Sequence, residues 1–305
     1  MKTRCDLLRL LMMSLCLLWK PASHAGADEP GRIDRSRSLR SSWGTYDGEP
    51  RRPDGLVDVE RLVRELVELR ANTYNWLIWH RATDWDDLKR FLPAARAKGI
   101  RVWVCLVPPS ESPPHTSNYS EPFQLDYHRW GVEIAKLSLR EPNLVAWTID
   151  DFTHNLKFYN PQRLREILDA TRKINPKLAF APCSYFPRIT PRFARDYQGL
   201  LDGLLFPYRH ESSGANLTDA SLVEEEVKRI RQVMGPSVAI VVDVYASAHG
   251  RLGSSTPEYV RQVMTAAKRS ADGVHVYCHQ NPKTEKYRII KDLFHTWSAE
   301  PGPKK

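Results

Sequence analysis

Apolar positions along this chain alternate between two patterns. Short, mostly apolar runs are separated by longer stretches in which apolar residues recur every three or four positions. The short runs are 39–46, 74–80, 101–107, 144–150, 178–184, 203–208, 238–244 and 273–278. Most are apolar nearly throughout rather than alternating, which predicts strands covered on both faces. The intervening stretches carry helical stripes. In 57–69, Val59, Leu62, Val63, Leu66 and Leu69 fall on one side of a helix, and comparable stretches occupy 85–98, 127–139, 161–174, 191–197, 221–233, 257–270 and 284–297. Asn160, Thr190 and Thr256 each precede a proline, placing a capping side chain ahead of a residue suited to the first helical position. Gly99 falls where a helix should stop.

Strand and helix alternate eight times. Units of about 30 residues in that number predict an α/β fold, a single (β/α)8 TIM barrel over 39–298. An open doubly wound sheet is the alternative, but no glycine-rich phosphate turn follows the first strand. Residues 26–38 are expected to be a flexible leader and 299–305 a loose tail.

The amino terminus has a different character. Lys2, Arg4 and Arg9 accompany an apolar run from Leu7 to Trp19, followed by small residues through Ala27. This is the layout of a secretory signal peptide, expected over 1–25, and it predicts a secreted or periplasmic product. The run is too short to span a bilayer and nothing later is long enough, so no membrane partner is expected once the leader is gone. Removing 1–25 lowers the formal charge from +9 to +6. That excess is spread along the chain without a basic run, which argues against a nucleic-acid partner. Cys105, Cys183 and Cys278 remain; they lack metal-ligand spacing and lie in apolar runs, so they read as buried thiols.

In such a barrel the loops after the strands build the site. Those positions hold Trp43, Tyr46 and Asp47; Trp79 and His80; Ser110 and Glu111; Asp150, Asp151 and His154; Ser184 and Tyr185; Tyr208 and Arg209; Asp243 and Tyr245; and His279. The connections at the opposite end are short turns without that density of aromatic and ionisable groups. Flat rings with polar tips suit stacking on sugar faces, which suggests a carbohydrate substrate. The substrate-binding set read this way is Trp43, Tyr46, Asp47, Trp79, His80, Tyr185, Tyr208, Arg209, Asp243, Tyr245 and His279.

The sharpest local feature is Asp150-Asp151 after an apolar strand. Like charges held close in a partly dry cleft push their pKa values apart, so one carboxyl can stay protonated as general acid catalysis of glycosidic cleavage requires. The pair therefore reads as catalytic, although Asp151 alone could simply cap the next helix. Asp151 paired with Asp243 across the cleft as acid/base and nucleophile is a second possibility, and a non-catalytic glycan-binding barrel a third. His80, His154, His210 and His279 are scattered over strand ends without the H-E-x-x-H motif, so no metal or other cofactor is expected.

Several ordered segments resemble the glycoside hydrolase family that includes O-GlcNAc hydrolases and bacterial hyaluronidase-like β-N-acetylglucosaminidases. They are Trp43-Gly44-Thr45-Tyr46-Asp47-Gly48, Ala71-Asn72-Thr73-Tyr74, the Asp150-Asp151 pair, Pro182-Cys183-Ser184-Tyr185 and Asp243-Val244-Tyr245. The resemblance implies substrate-assisted catalysis. In it, Asp150 would orient a 2-acetamido group whose carbonyl oxygen attacks the anomeric carbon, while Asp151 would serve as general acid and then general base.

Overall fold

The computed structural model describes residues 33–277 and 281–300. The expected signal peptide, the leader up to residue 32, Cys278, His279 and the last five tail residues lie outside the described residues. The strands are β1 (Ser42–Tyr46), β2 (Thr73–Ile78), β3 (Arg101–Leu106), β4 (Leu144–Ile149), β5 (Ala179–Phe180), β6 (Gly203–Pro207), β7 (Ala239–Tyr245) and β8 (Gly273–Tyr277). Between and after them run α1 (Val59–Leu69), α2 (Asp84–Arg96), α3 (Tyr127–Arg140), α4 (Pro161–Ile174), α5 (Pro191–Tyr197), α6 (Val223–Met234), α7 (Pro257–Ser270) and α8 (Glu285–Ala299).

All eight barrel strands are parallel, in the order β5-β4-β3-β2-β1-β8-β7-β6. A parallel bridge between Cys183 and Leu205 joins the two ends of that order, so the sheet closes on itself as a (β/α)8 TIM barrel. Its bonds are Ser184 N–H to Leu205 O and Leu205 N–H to Pro182 O. The strand expected over 178–184 is regular only at Ala179–Phe180, because Pro182 has no N–H to give the ladder.

Capping follows the sequence. Asn160, Thr190 and Thr256 accept the backbone N–H groups of Arg163, Phe193 and Tyr259. Gly99 sits at φ +70° just beyond α2, a conformation that favours glycine. Leu62, Val63, Leu66 and Leu69 bury the predicted stripe of α1. Each such side chain contributes roughly 1.5–3 kcal/mol when withdrawn from water.

Strand parity decides what fills the barrel. Trp103 of β3 and His275 of β8 meet inside, ring centroids 4.4 Å apart. The space comes from small neighbours, Ala146, Ala179, Ala181 and Ala239, and from Gly44, where a Cβ would lie 2.6 Å from the His275 ring. Burial and, secondarily, the Arg101 charge lower the His275 pKa to about 3, so this imidazole is neutral. The expected first strand, 39–46, begins only at Ser42, because Leu39 turns into the barrel and packs against Gly203. Ahead of it, Arg35–Ser38 forms a 3-10 turn whose Arg35 pairs with Asp202 at 2.8 Å.

Candidate active site

The loops after the strands enclose a cleft of about 850 Å³. Tyr46, Asp47, Trp79, His80, Asp150, Asp151, Tyr185, Arg209, Asp243 and Tyr245 all line it, drawn from β1, β2 and β4 to β7. Trp43 and Tyr208 do not. Trp43 has the opposite parity to Tyr46 and packs outside the barrel against Trp297 at 5.1 Å, under the ammonium of Lys268. Tyr208 also points outward, fully buried, stacking on Tyr259 and donating its hydroxyl to Asp219 O at 3.1 Å. Both assignments to the substrate surface are therefore corrected by the period-two alternation of strand side chains.

The backbone turns between Asp150 and Asp151, and both carboxyls still reach the same cleft. Asp150 ends the β4 run, its N–H bonded to Leu106 O, and Asp151 adopts a left-handed conformation at φ 43°. That geometry is uncommon for a residue with a side chain and is held here by its surroundings. Asn155 donates to Asp151 O at 2.9 Å and to Ser110 Oγ at 2.8 Å, tying the β4 loop to the β3 loop. Asp151 N–H in turn donates to Asp150 Oδ1 at 3.0 Å.

The two carboxyls differ sharply in acidity. Burial, reinforced by the charge of Asp151, raises Asp150 to about 7. Burial also works to raise Asp151, but hydrogen bonds from His154 and Tyr185 outweigh it and hold that carboxyl below the usual carboxylate range. Tyr185 Oη lies 2.5 Å from Asp151 Oδ1, and His154 Nδ1 lies 3.4 Å from Oδ2. The two rings stack 4.5 Å apart and grip the carboxylate as a unit. At mildly acidic pH these effects favour a single proton on the pair, held by Asp150.

Asp243 faces them from β7. It accepts the Tyr46 hydroxyl at 2.7 Å, and its other oxygen is buried without a protein partner. Burial, with the Asp150 charge adding to it, raises Asp243 to about 8. Glu111, from the 3-10 turn Pro109–Glu111, also lines the cleft, and burial together with the charges of Asp150 and Asp151 raises it to about 8. It was visible in the sequence as a strand-end acid, but nothing in the sequence marked it as a neighbour of the aspartate pair.

The β1 and β2 loops meet through His80, which contacts Asp47 at 3.1 Å and Glu49 at 3.4 Å. Hydrogen bonds to those two carboxylates raise it to about 10, so it stands as an imidazolium. Buried Asp84 shapes the turn beneath it by accepting the N–H groups of Trp79, His80 and Arg81 at 3.0, 2.7 and 2.9 Å. On the far wall Tyr46, Tyr277 and Tyr245 form a continuous aromatic run, with centroids 5.0 and 5.6 Å apart. Arg209 lies over the Tyr185 ring at 4.1 Å and pairs with Glu211.

The nearest approach to a metal donor set among the described residues is Asp150, Asp151 and Cys183, whose ligand atoms lie within 4.8 Å of one another. Burial pushes the Cys183 thiol up and raises the Asp150 carboxyl to about 7, so a cation would have to compete with protons at both. Cys105 and Cys183 are buried free thiols. His210 faces Asp219 and Asn216 instead of the cleft. No described helix is long and apolar enough to cross a membrane.

No protein-family model matches the chain. No curated protein matches it either. Solved structures do. A GH2 beta-galacturonidase from Eisenbergiella tayi, bound to galacturonate, aligns with a TM-score of 0.54 at 14% identity, over 84% of this chain and 51% of that one. A beta-galactosidase from Rahnella sp. R3 gives 0.59 at 14% identity, over 85% of this chain and 56% of that one. A GH113 beta-1,4-mannanase gives 0.56 at 10% identity, over 84% of this chain and 99% of that one. The chain thus spans about half the length of the galacturonidase and the galactosidase, and nearly all of the mannanase. At these identities the likeness establishes the barrel.

Proposed function

We propose that the protein is a glycoside hydrolase whose acid–base pair is Asp150 and Asp151. The observation that carries this reading is the opposed acidity of two adjacent carboxyls opening onto one cleft lined with aromatic rings. The fold neighbours named as a galacturonidase, a galactosidase and a mannanase are consistent with it.

The proton inventory suits a 2-acetamido sugar. In the resting cleft burial favours the protonated form of Asp150, and the Tyr185 and His154 bonds favour the ionised form of Asp151. An acetamide N–H delivered to Asp150 favours its carboxylate form, and the released proton passes to the neighbouring Asp151. Asp151 then gives that proton to the departing glycosidic oxygen as the acetamide oxygen closes on the anomeric carbon. In the second step Asp151 takes a proton from the water that opens the cyclic intermediate, restoring one proton to the pair.

Direct displacement by Asp243 is the weaker reading, because a nucleophile must be ionised and burial raises Asp243 to about 8. Asp243 instead serves as a hydrogen-bonding acid on the far wall. Nitrophenyl glycosides bearing 2-acetamido, 2-trifluoroacetamido or 2-hydroxy groups test the scheme. The acetamide is expected to turn over fastest and the trifluoroacetamide much more slowly, since its oxygen is a poorer nucleophile. Comparable turnover of the 2-hydroxy sugar would remove substrate assistance, and glycan binding without any turnover would remove the hydrolase itself. Export through the leader over 1–25 belongs to the same proposal and is checked by amino-terminal sequencing of protein recovered outside the cytoplasm.

A further inference from the structure

Charge in the cleft is unevenly compensated. His80 lies between Asp47 and Glu49, Asp151 is held by His154 and Tyr185, and Glu211 pairs with Arg209. Two guanidinium groups that line the same cleft have no carboxylate partner among the described residues: Arg188 and Arg251. Arg188 closes the 3-10 turn Phe186–Arg188 after β5, and Arg251 lies at the tip of a two-stranded ribbon, Ala248–His249 with Gly253–Ser254, after β7. Both side chains are exposed. Strands β5, β6 and β7 are consecutive around the barrel, so both belong to one wall, with Arg209, paired to Glu211, between them.

We propose that this wall binds an anionic substituent of the glycan, a carboxylate or a sulfate, through Arg188 and Arg251. The inference rests on the cleft being a glycan site and adds the charge class of its ligand. Guanidinium forks match such groups in planar geometry and bind them more strongly than neutral hydroxyls. His249, on the same ribbon, is held below its usual pKa first by burial and then by the Arg209 and Arg251 charges, with Asp151 acting in the opposite direction. Among the opposing acids Asp151 is held below the usual carboxylate range, and it is engaged by Tyr185 and His154. Glu111, Asp150 and Asp243 are all raised to about 7 or 8 and are largely protonated at mildly acidic pH.

The test is titration calorimetry on the purified full chain at pH 6 with oligogalacturonides, a sulfated chondroitin tetrasaccharide, and neutral cello- and chito-oligosaccharides of equal length. One or both anionic probes are expected to bind roughly ten- to hundredfold more tightly than the neutral ones, with an advantage that shrinks as salt is raised. Comparing the sulfated tetrasaccharide with its unsulfated form, which keeps the uronates, tells which group the wall accepts. Arg188→Gln/Arg251→Gln should erase the advantage while leaving neutral binding and the melting temperature in place. Equal affinity for neutral and anionic probes, no binding of any anionic probe, or a preference that survives in the double variant overturns the proposal. Turnover is read separately. Hydrolysis without anion preference sinks only this inference, whereas anion binding without hydrolysis of any substrate sinks only the hydrolase reading.

Discussion

Tyr185 donates its phenolic hydroxyl to Asp151 Oδ1 across 2.5 Å, linking side chains 34 positions apart in the chain. The bond joins the loop after β5 to the loop after β4, and it is one of two that keep Asp151 ionised beside the protonated Asp150. Removing the donor weakens the charged form of the acceptor. Tyr185→Phe is therefore expected to raise the Asp151 pKa and move the acidic limb of the kcat/KM profile to higher pH, with a loss of about tenfold or more near the optimum. An acidic limb unmoved by the substitution would detach Tyr185 from the acid–base pair.

The pair itself sets the shape of the whole profile. Asp151 must be ionised in the resting cleft, which gives an acidic limb below its ordinary value, and Asp150 must be protonated, which gives a basic limb at about 7. Activity should fall as pH rises through that value. Asp151→Asn should lower kcat by about 10²–10⁴-fold, and Asp150→Asn should abolish the basic limb together with most of the rate. Full turnover in Asp151→Asn would take that residue out of the chemistry.

Asp243 links acidity to stability. A carboxyl raised on folding carries no penalty below its unfolded pKa of about 3.9, where both states are protonated. As pH climbs toward about 8 the unfolded chain ionises while native Asp243 keeps its proton, so stability declines over that window and then levels off. Asp243→Asn retains an acceptor for Tyr46 and removes the titration. Relative to wild type, its melting temperature should improve progressively between pH 4 and pH 8; parallel melting curves across that range would contradict the raised pKa.

Inside the barrel, Gly44 makes room for His275. A Cβ at position 44 would lie 2.6 Å from the imidazole ring, itself wedged against Trp103. Gly44→Ala is expected to destabilise the fold by about 1–3 kcal/mol, read by denaturant titration, and His275→Ala in the same chain should recover part of the loss. Wild-type stability in Gly44→Ala would mean that the ring pair has slack to move.

The eight-fold alternation was legible in the residues because each unit carries its own local signals. Apolar runs such as 101–107 and 238–244 read as strands covered on both sides, and Asn160, Thr190 and Thr256 marked helix starts that prove to be hydrogen-bonded caps. The concentration of acids and rings after the strands also placed the cleft at the correct end of the barrel. Its membership was less legible. Trp43 and Tyr208 follow or sit in strands like the true cleft residues, but one step of parity sends them outside, and parity cannot be read where a strand is apolar on both faces.

By itself, then, the sequence determined the repeating strand–helix unit, the helix caps and the crowding of polar groups at strand ends, all of which depend on residues within a few positions of one another. Only the tertiary structure decided that Tyr46, Glu111, Asp151, Tyr185 and Asp243 share one cleft, and which of the two aspartates is pushed toward its protonated form. The reason is physical: proton affinity follows burial and the charges within a few ångströms, and those neighbours come together only when the ring of strands closes.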